Sequence, residues 1–226
     1  MTRTEFKQVE NFMLDKMKDA AHDQFHIYRV LYTALKIANA EKDVDLDVLI
    51  TSCLLHDIGR EYQSENQGSC HAKVGSEMAF KYLIERGWDL SRATHVKNCI
   101  NSHRFRGNNP PESIEAKILF DADKLDVTGA IGISRTLIYA GQISEPLYAL
   151  EDNNVILDGG GGECSSFFQE YNYKLKDLHD SIYTDHARQI ALERNRISTD
   201  FYNSLLNEVV ENHSQGVEEL EKIFND

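Results

Sequence analysis

The chain has 226 residues, with 24 Lys plus Arg against 37 Asp plus Glu and a formal net charge of −13. That length suits one large domain with a substantial core. The acidic balance repels nucleic acid and anionic membrane, so neither is an expected partner, and a phosphorylated substrate needs local cations or a metal. No apolar run approaches the roughly 18 to 20 residues of a membrane span, and Met1-Thr-Arg-Thr-Glu-Phe-Lys lacks the apolar core of a secretion signal. Cys53, Cys70, Cys99 and Cys164 form no C-x-x-C pair and read as reduced thiols of a cytoplasmic protein.

Residues 4–19 carry Phe6, Val9, Phe12, Met13 and Met17 in the pattern of an amphipathic helix. A second helix is expected from about His26 to about Ala40, with His26, Val30, Ala34 and Ile37 on one face. The third opens at the N-cap candidate Asp45 and stops at Gly59. Its stripe of Leu46, Leu49, Ile50, Cys53 and Leu54 continues to Asp57, so a carboxylate points at the core. Further helices are expected from His71 to Arg86-Gly87 and from Trp88 to His103, before a loop forced by Pro110-Pro111.

Glu112 and Glu115 mark the first turn of the next helix. There Asp123 shares a stripe with Ala116, Leu119, Phe120 and Val127, and Asp121 shares one with Ile114, Ile118 and Leu125. Periodicity alone does not choose between the two aspartates. After an apolar, small-residue segment over 128–140, the pattern collapses from Gly141 to about Glu163. The Gly159–Gly162 run there looks like permissive backbone with nothing to bury, suited to a lid. Phe168, Tyr171, Leu175, Leu178 and Ile182, then Ile190, Ala191, Phe201 and Leu205, define C-terminal helices. No strand is expected, and the fold class is all-α.

His26, His56, Asp57 and either Asp121 or Asp123 are thus polar ligand types on otherwise buried faces. An unpaired ionised carboxylate is too costly to bury, and a shared cation would satisfy the whole group at once. His22, four residues before His26, lies in a polar break and is discounted as a ligand.

This order resembles the HD superfamily of metal-dependent phosphohydrolases. The resemblance rests on His26 within Asp23-Gln-Phe-His-Ile-Tyr-Arg-Val30, on Leu-Leu-His56-Asp57-Ile-Gly, and on Asp123 within Asp121-Ala-Asp-Lys-Leu-Asp126. It implies an all-α HD-domain helical bundle with additional C-terminal helices. A single domain over 1–226 is expected, with a core at about 22–140, a flexible loop at about 141–163 and C-terminal helices at about 165–222. It also implies that His26, His56, Asp57 and Asp123 are the metal ligands, with Asp121 as the structural alternative. Two imidazoles and two carboxylates suit Mn²⁺, the favoured ion, with Mg²⁺, Co²⁺, Fe²⁺ or Ni²⁺ as alternatives.

Downstream, Gly129-Ala-Ile-Gly-Ile-Ser-Arg135 and the segment with Tyr171, Lys174 and Lys176 look like small stand-alone bacterial HD hydrolases, some of which are manganese-dependent nucleotide pyrophosphohydrolases. The resemblance therefore implies hydrolysis of a nucleoside triphosphate to monophosphate and pyrophosphate. The alternatives are a nucleoside monophosphate phosphatase, a cyclic phosphodiesterase, or a non-catalytic nucleotide sensor. Asp57, His71 and His103 are the expected catalytic residues. The two histidines are read as acting on the substrate in preference to holding a second ion. Arg29, Arg60, Lys73, Arg104, Arg106, Lys124, Lys174 and Lys176 are the expected phosphate-side cations, with Tyr171 able to stack on a base. The expected partner is a small phosphorylated molecule, and a homodimer is compatible with this reading.

Overall fold

Polar residues set the helix starts. Thr2 and Glu5 form a reciprocal capping box on α1 (Arg3–Lys16), and Asp45 caps α3 (Leu46–Leu55) by accepting from the N–H groups of Asp47 and Val48. Asp89 caps α5 (Leu90–Ser102), and the Ser113 hydroxyl caps α6 (Ile114–Leu125). Between these lie α2 (Gln24–Ala38) and α4 (His71–Glu85). They are followed by α7 (Gly129–Gln142), the short α8 (Phe167–Glu170), a π turn at Tyr171–Leu175, a 3-10 turn at Leu178–Ser181, and the long α9 (Asp185–Asn225). This computed structural model describes residues 1–17, 24–60, 62, 70–104, 109–151, 155–161 and 165–225. His22, Arg106 and Gly162 lie outside them.

The helical fold class matches the expectation. Within the single 1–226 domain suggested by the sequence, the contacts form two compact units. The first comprises Met1–Asp126 with Ile182–Ala187, and the second Val127–Ser181 with Arg188–Asp226.

In the first unit α3 packs on α2, α5 and α6, and α2 also lies along α6. Ile27, Val30 and Ala34 of α2 meet a core that includes Leu49, Cys53 and Leu54 of α3, Ile100 of α5 and Ile118 and Leu119 of α6, all buried. The buried Glu115 carboxylate accepts the Asp45 N–H at 2.8 Å, tying the start of α6 to that of α3. Asp121 accepts from the N–H groups of Tyr183 and Thr184 at 2.9 and 2.7 Å, and from the Thr184 hydroxyl at 2.7 Å. It is therefore an anchor for the segment that leads into α9, which accounts for a carboxylate on a buried stripe.

One expectation is corrected at α3. The helix ends at Leu55, not Gly59, and His56–Gly59 form a turn. Gly59 allows this turn to touch the first turns of α4. A Cβ at Gly59 would lie 2.3 Å from the His71 carbonyl oxygen and 2.6 Å from the Gly75 nitrogen, both backbone atoms that cannot move aside. The contact sets the His56-Asp57 turn beside His71.

In the second unit Ile133, Phe167, Phe168, Tyr171, Leu175 and Tyr202 form a core, against which Tyr148, Ile156 and Leu205 pack. The segment over 141–163 is not featureless, because Ala149–Leu150 pair antiparallel with Ile156–Leu157. Strands of this length leave no alternation to read in a sequence. Gly159 is also not idle backbone. It sits at φ +85°, and a Cβ there would lie 2.2 Å from the Phe168 carbonyl carbon. The neighbouring Asp158 carbonyl accepts from the Tyr202 hydroxyl at 2.6 Å and from the Asn172 amide at 2.7 Å. This part of the glycine run is packed, which corrects the expectation that it buries nothing.

Gly59→Ala is expected to lower stability by about 1–3 kcal/mol through overpacking. The contrasting Gly87→Ala keeps its packing, since nothing lies within 4 Å of a Cβ there, and pays only for its positive φ. Chemical denaturation of both variants checks the difference, and equal midpoints would remove the argument for a backbone contact at Gly59.

Candidate metal centre

Each candidate side chain comes from an element whose local geometry aims it. His26 sits on the buried face of α2, His56 and Asp57 on the turn after α3, His71 at the start of α4, His103 at the end of α5, and Asp123 on α6. The His56 Nδ1 donates to the Cys53 carbonyl at 2.8 Å, and the His103 Nδ1 to the Ile100 carbonyl at 2.6 Å. A carbonyl only accepts, so these bonds put the ring proton on Nδ1 and leave the Nε2 lone pair facing inward. The His26 Nδ1 is held by the Asp126 carboxylate at 2.7 Å, which likewise turns its Nε2 inward.

The inward atoms converge. The His26 and His56 Nε2 atoms are 3.3 Å apart, and each is 3.6 Å from Oδ2 of Asp57. Oδ1 of Asp123 lies 3.4 Å from the His26 Nε2 and 3.9 Å from the His56 Nε2. Among the described residues, the ligand atoms of His26, His56 and Asp123, and those of His56, Asp57 and His103, each fall within 4.8 Å of one another. These groups could hold a metal ion.

On the other side of Asp57, Oδ1 faces the Nε2 atoms of His71 and His103 at 3.5 and 3.7 Å. This oxygen is buried and, among the described residues, has no hydrogen-bond partner. This oxygen calls for a cation or a donor from a ligand, while on the Oδ2 side two imidazole nitrogens and two carboxylates converge in a donor set that fits a divalent ion. His71 differs from the other histidines. Its Nδ1 lies 3.1 Å from an Arg104 guanidinium nitrogen, which only donates, so the His71 proton sits on Nε2.

Charge is distributed accordingly. Burial alone would discharge His26, but hydrogen bonds to Asp123 and Asp126 outweigh it and raise its pKa to about 9. Burial lowers His56 to about 4, and burial with the nearby Arg60 lowers His71 to about 3. Burial would raise Asp57, yet the His56 and His103 imidazoles and Arg60 hold it well below the usual carboxylate range. Asp123 is likewise held low against its burial, by Lys124 and His26. Two carboxylates thus stay anionic in the interior, with one imidazolium and two neutral imidazoles around them.

The expected cations divide. Arg60 Nε contacts Oδ2 of Asp57 at 2.5 Å and Lys124 Nζ lies 3.5 Å from Oδ2 of Asp123, so both stand at the cluster with Arg104. Arg29 pairs with Asp126, with Nε 2.7 Å from Oδ1 and a terminal nitrogen 3.0 Å from Oδ2. Lys73 is exposed on α4. Tyr171 is corrected, since it is buried in the core of the second unit, its hydroxyl is 3.1 Å from the Thr199 hydroxyl and its ring stacks on Tyr202 at 4.2 Å. No face remains for a base. Lys174 pairs with Glu170, and Lys176 is exposed, both in the second unit. Asp126 is the site residue that the sequence reading missed. Its signal was its place three residues after Asp123, which returns it to the same side of α6.

The geometry can be set beside known proteins. The HD domain family matches residues 25–128, a stretch that holds every member of the cluster. The uncharacterized protein YpgQ of Bacillus subtilis is 30% identical over 199 residues, which are 87% of this chain and 88% of YpgQ. The crystal structure of Bacillus subtilis YpgQ in complex with ADP aligns at a TM-score of 0.70 with 26% identity, covering 91% of this chain and 95% of that one. A structure described as a predicted HD superfamily hydrolase from an uncultured Thermotogales bacterium aligns at 0.62 with 30% identity, covering 92% and 99% of the two chains. With relatives matched over most of their length and the domain match lying over the His/Asp cluster, the chain belongs to the HD-domain hydrolase family.

Proposed function

We propose that this chain is a divalent-metal-dependent phosphohydrolase that cleaves a nucleoside triphosphate to a monophosphate and pyrophosphate. The observation that carries the reading is the convergence of the His26 and His56 Nε2 atoms with the Asp57 and Asp123 carboxylates in a buried pocket. In this reading those four residues are the ligands and Mn²⁺ is the favoured ion. A divalent ion held there supplies an acidified water and draws negative charge from the phosphoryl group as its bond breaks.

The surrounding residues have separate tasks. Arg60 and Lys124 already sit against the two carboxylates, and they offer the positive charge that phosphate oxygens need in a chain of net charge −13. His71 is neutral with its proton on Nε2, the nitrogen that faces Asp57, so it is placed to donate to a phosphate oxygen. Ligation through the His71 Nε2 would move its proton to Nδ1 and break the Arg104 contact, whereas His26 keeps its Asp126 contact, which supports a single ion per chain over a pair bridged by Asp57. His103, whose Nε2 faces Oδ1 of Asp57 at 3.7 Å, is read as holding a water beside that oxygen.

A nucleotide substrate is supported by the neighbouring YpgQ structure, which is a complex with ADP. The free thiols of Cys53, Cys70 and Cys99 accord with a cytoplasmic enzyme, and no described helix is long and apolar enough to cross a membrane.

Two outcomes follow. A panel of nucleotides and divalent ions should release pyrophosphate from a triphosphate with Mn²⁺ present, and His56→Ala and Asp57→Ala should lose both bound metal and turnover. Inorganic phosphate or a ring-opened monophosphate as product would point to the phosphatase or cyclic phosphodiesterase reading, and binding without any product to a sensor. Metal affinity should also rise with pH. Below about pH 9 the ion must expel the His26 proton, so the apparent association constant is expected to climb by about tenfold per pH unit between pH 6 and 8. Calorimetric titration of Mn²⁺ at three pH values checks this, and a flat profile would contradict the assignment of His26.

A further inference from the structure

Resting on the metal-centre reading above, we infer that Asp126 and Arg29 form a clamp that positions His26 as a metal ligand. Neither residue faces the ion. The Asp126 carboxylate is 4% exposed and lies one turn beyond Asp123, at the end of α6. Its Oδ2 meets the His26 Nδ1 at 2.7 Å, and its two oxygens meet the Arg29 guanidinium at 2.7 and 3.0 Å. Arg29 sits three residues after His26 on α2, so α2 supplies both the ring and the fork, and α6 supplies the carboxylate between them.

Each contact has a distinct effect. An ionised carboxylate only accepts, so it keeps the His26 proton on Nδ1 and presents the Nε2 lone pair to the pocket. The bidentate Arg29 contact fixes the plane of the carboxylate, which in turn fixes the plane of the ring. It also gives the buried carboxylate a cationic partner beside the ring. His56 and His103 obtain the same orientation from backbone carbonyls supplied by their own helices. At His26 the side chains of α2 and α6 perform that task through Asp126. Asp126 and Arg29 are thus positioning residues.

The test uses the full chain and Mn²⁺ as probe. Asp126→Ala is expected to weaken Mn²⁺ binding by about 10–100-fold, and Asp126→Asn, which keeps an acceptor oxygen but not the charge, by less. Arg29→Gln should weaken it by a smaller factor again, since it acts only through Asp126. Zn²⁺-loaded protein with ¹⁵N-labelled histidine gives a second readout. The His26 spectrum should show a protonated Nδ1 and a metal-bound Nε2 in the wild type, and a mixture of tautomers in Asp126→Ala. Folding is checked by circular dichroism, and should Asp126→Ala not fold, Asp126→Asn and Arg29→Gln carry the comparison. Folded variants with Mn²⁺ affinity within twofold of wild type and an unchanged His26 spectrum would overturn the clamp while leaving the metal centre intact. A wild type that binds no divalent ion would instead remove the metal centre and the clamp together.

Discussion

The interaction on which the rest depends is the burial of the ionised Asp57 carboxylate in the interior of a helical unit, with the half-buried Asp123 carboxylate beside it. An isolated anion there is too costly to survive, so the surrounding structure must bring positive charge or donors to it. The first unit does so from every side. His26 arrives from α2, His56 from the end of α3, His71 from the start of α4, His103 from the end of α5, and Arg60 and Lys124 from the pocket's edge. Packing then follows the site as much as the site follows packing. The Gly59 and Gly75 contact lets one backbone turn lie against another helix, and that approach is what sets Asp57 between two groups of imidazoles.

The two oxygens of Asp57 have different surroundings, and this asymmetry shapes the chemistry. Oδ2 faces His26, His56 and Arg60, whereas Oδ1 faces His71 and His103. Tautomers divide the histidines further. Backbone carbonyls or Asp126 hold Nδ1 of His26, His56 and His103 and turn their Nε2 atoms inward, whereas Nδ1 of His71 faces Arg104. The orientation of these rings is thus set by groups outside the His/Asp cluster itself.

Much of this was legible in the sequence, because helical periodicity exposes a polar residue on an apolar stripe. His26 on the face of Val30, Ala34 and Ile37 is such a residue, and the stripe predicts its burial correctly. What periodicity does not carry is the partner across the helix interface. Asp121 and Asp123 both looked eligible, and only the tertiary contacts separate them, since Asp121 holds the N–H groups of Tyr183 and Thr184. Arg29 was read toward phosphates because it lies one turn from His26, but α6 presents Asp126 at that place. Tyr171 looked equally suited to a base or a core, and its stacking on Tyr202 answers for the core. The hairpin at Ala149–Leu150 and Ile156–Leu157 and the packed Gly159 left no pattern, because two-residue strands and a single turn are too short to show a period.

Crystals grown with Mn²⁺ and measured across the manganese absorption edge test the central claim most directly. The account predicts an anomalous peak bonded to Nε2 of both His26 and His56 and to the Asp57 and Asp123 carboxylates, with Asp121 uninvolved. A folded chain whose only manganese peak lies elsewhere, or is bonded to His71 without His26, would contradict it.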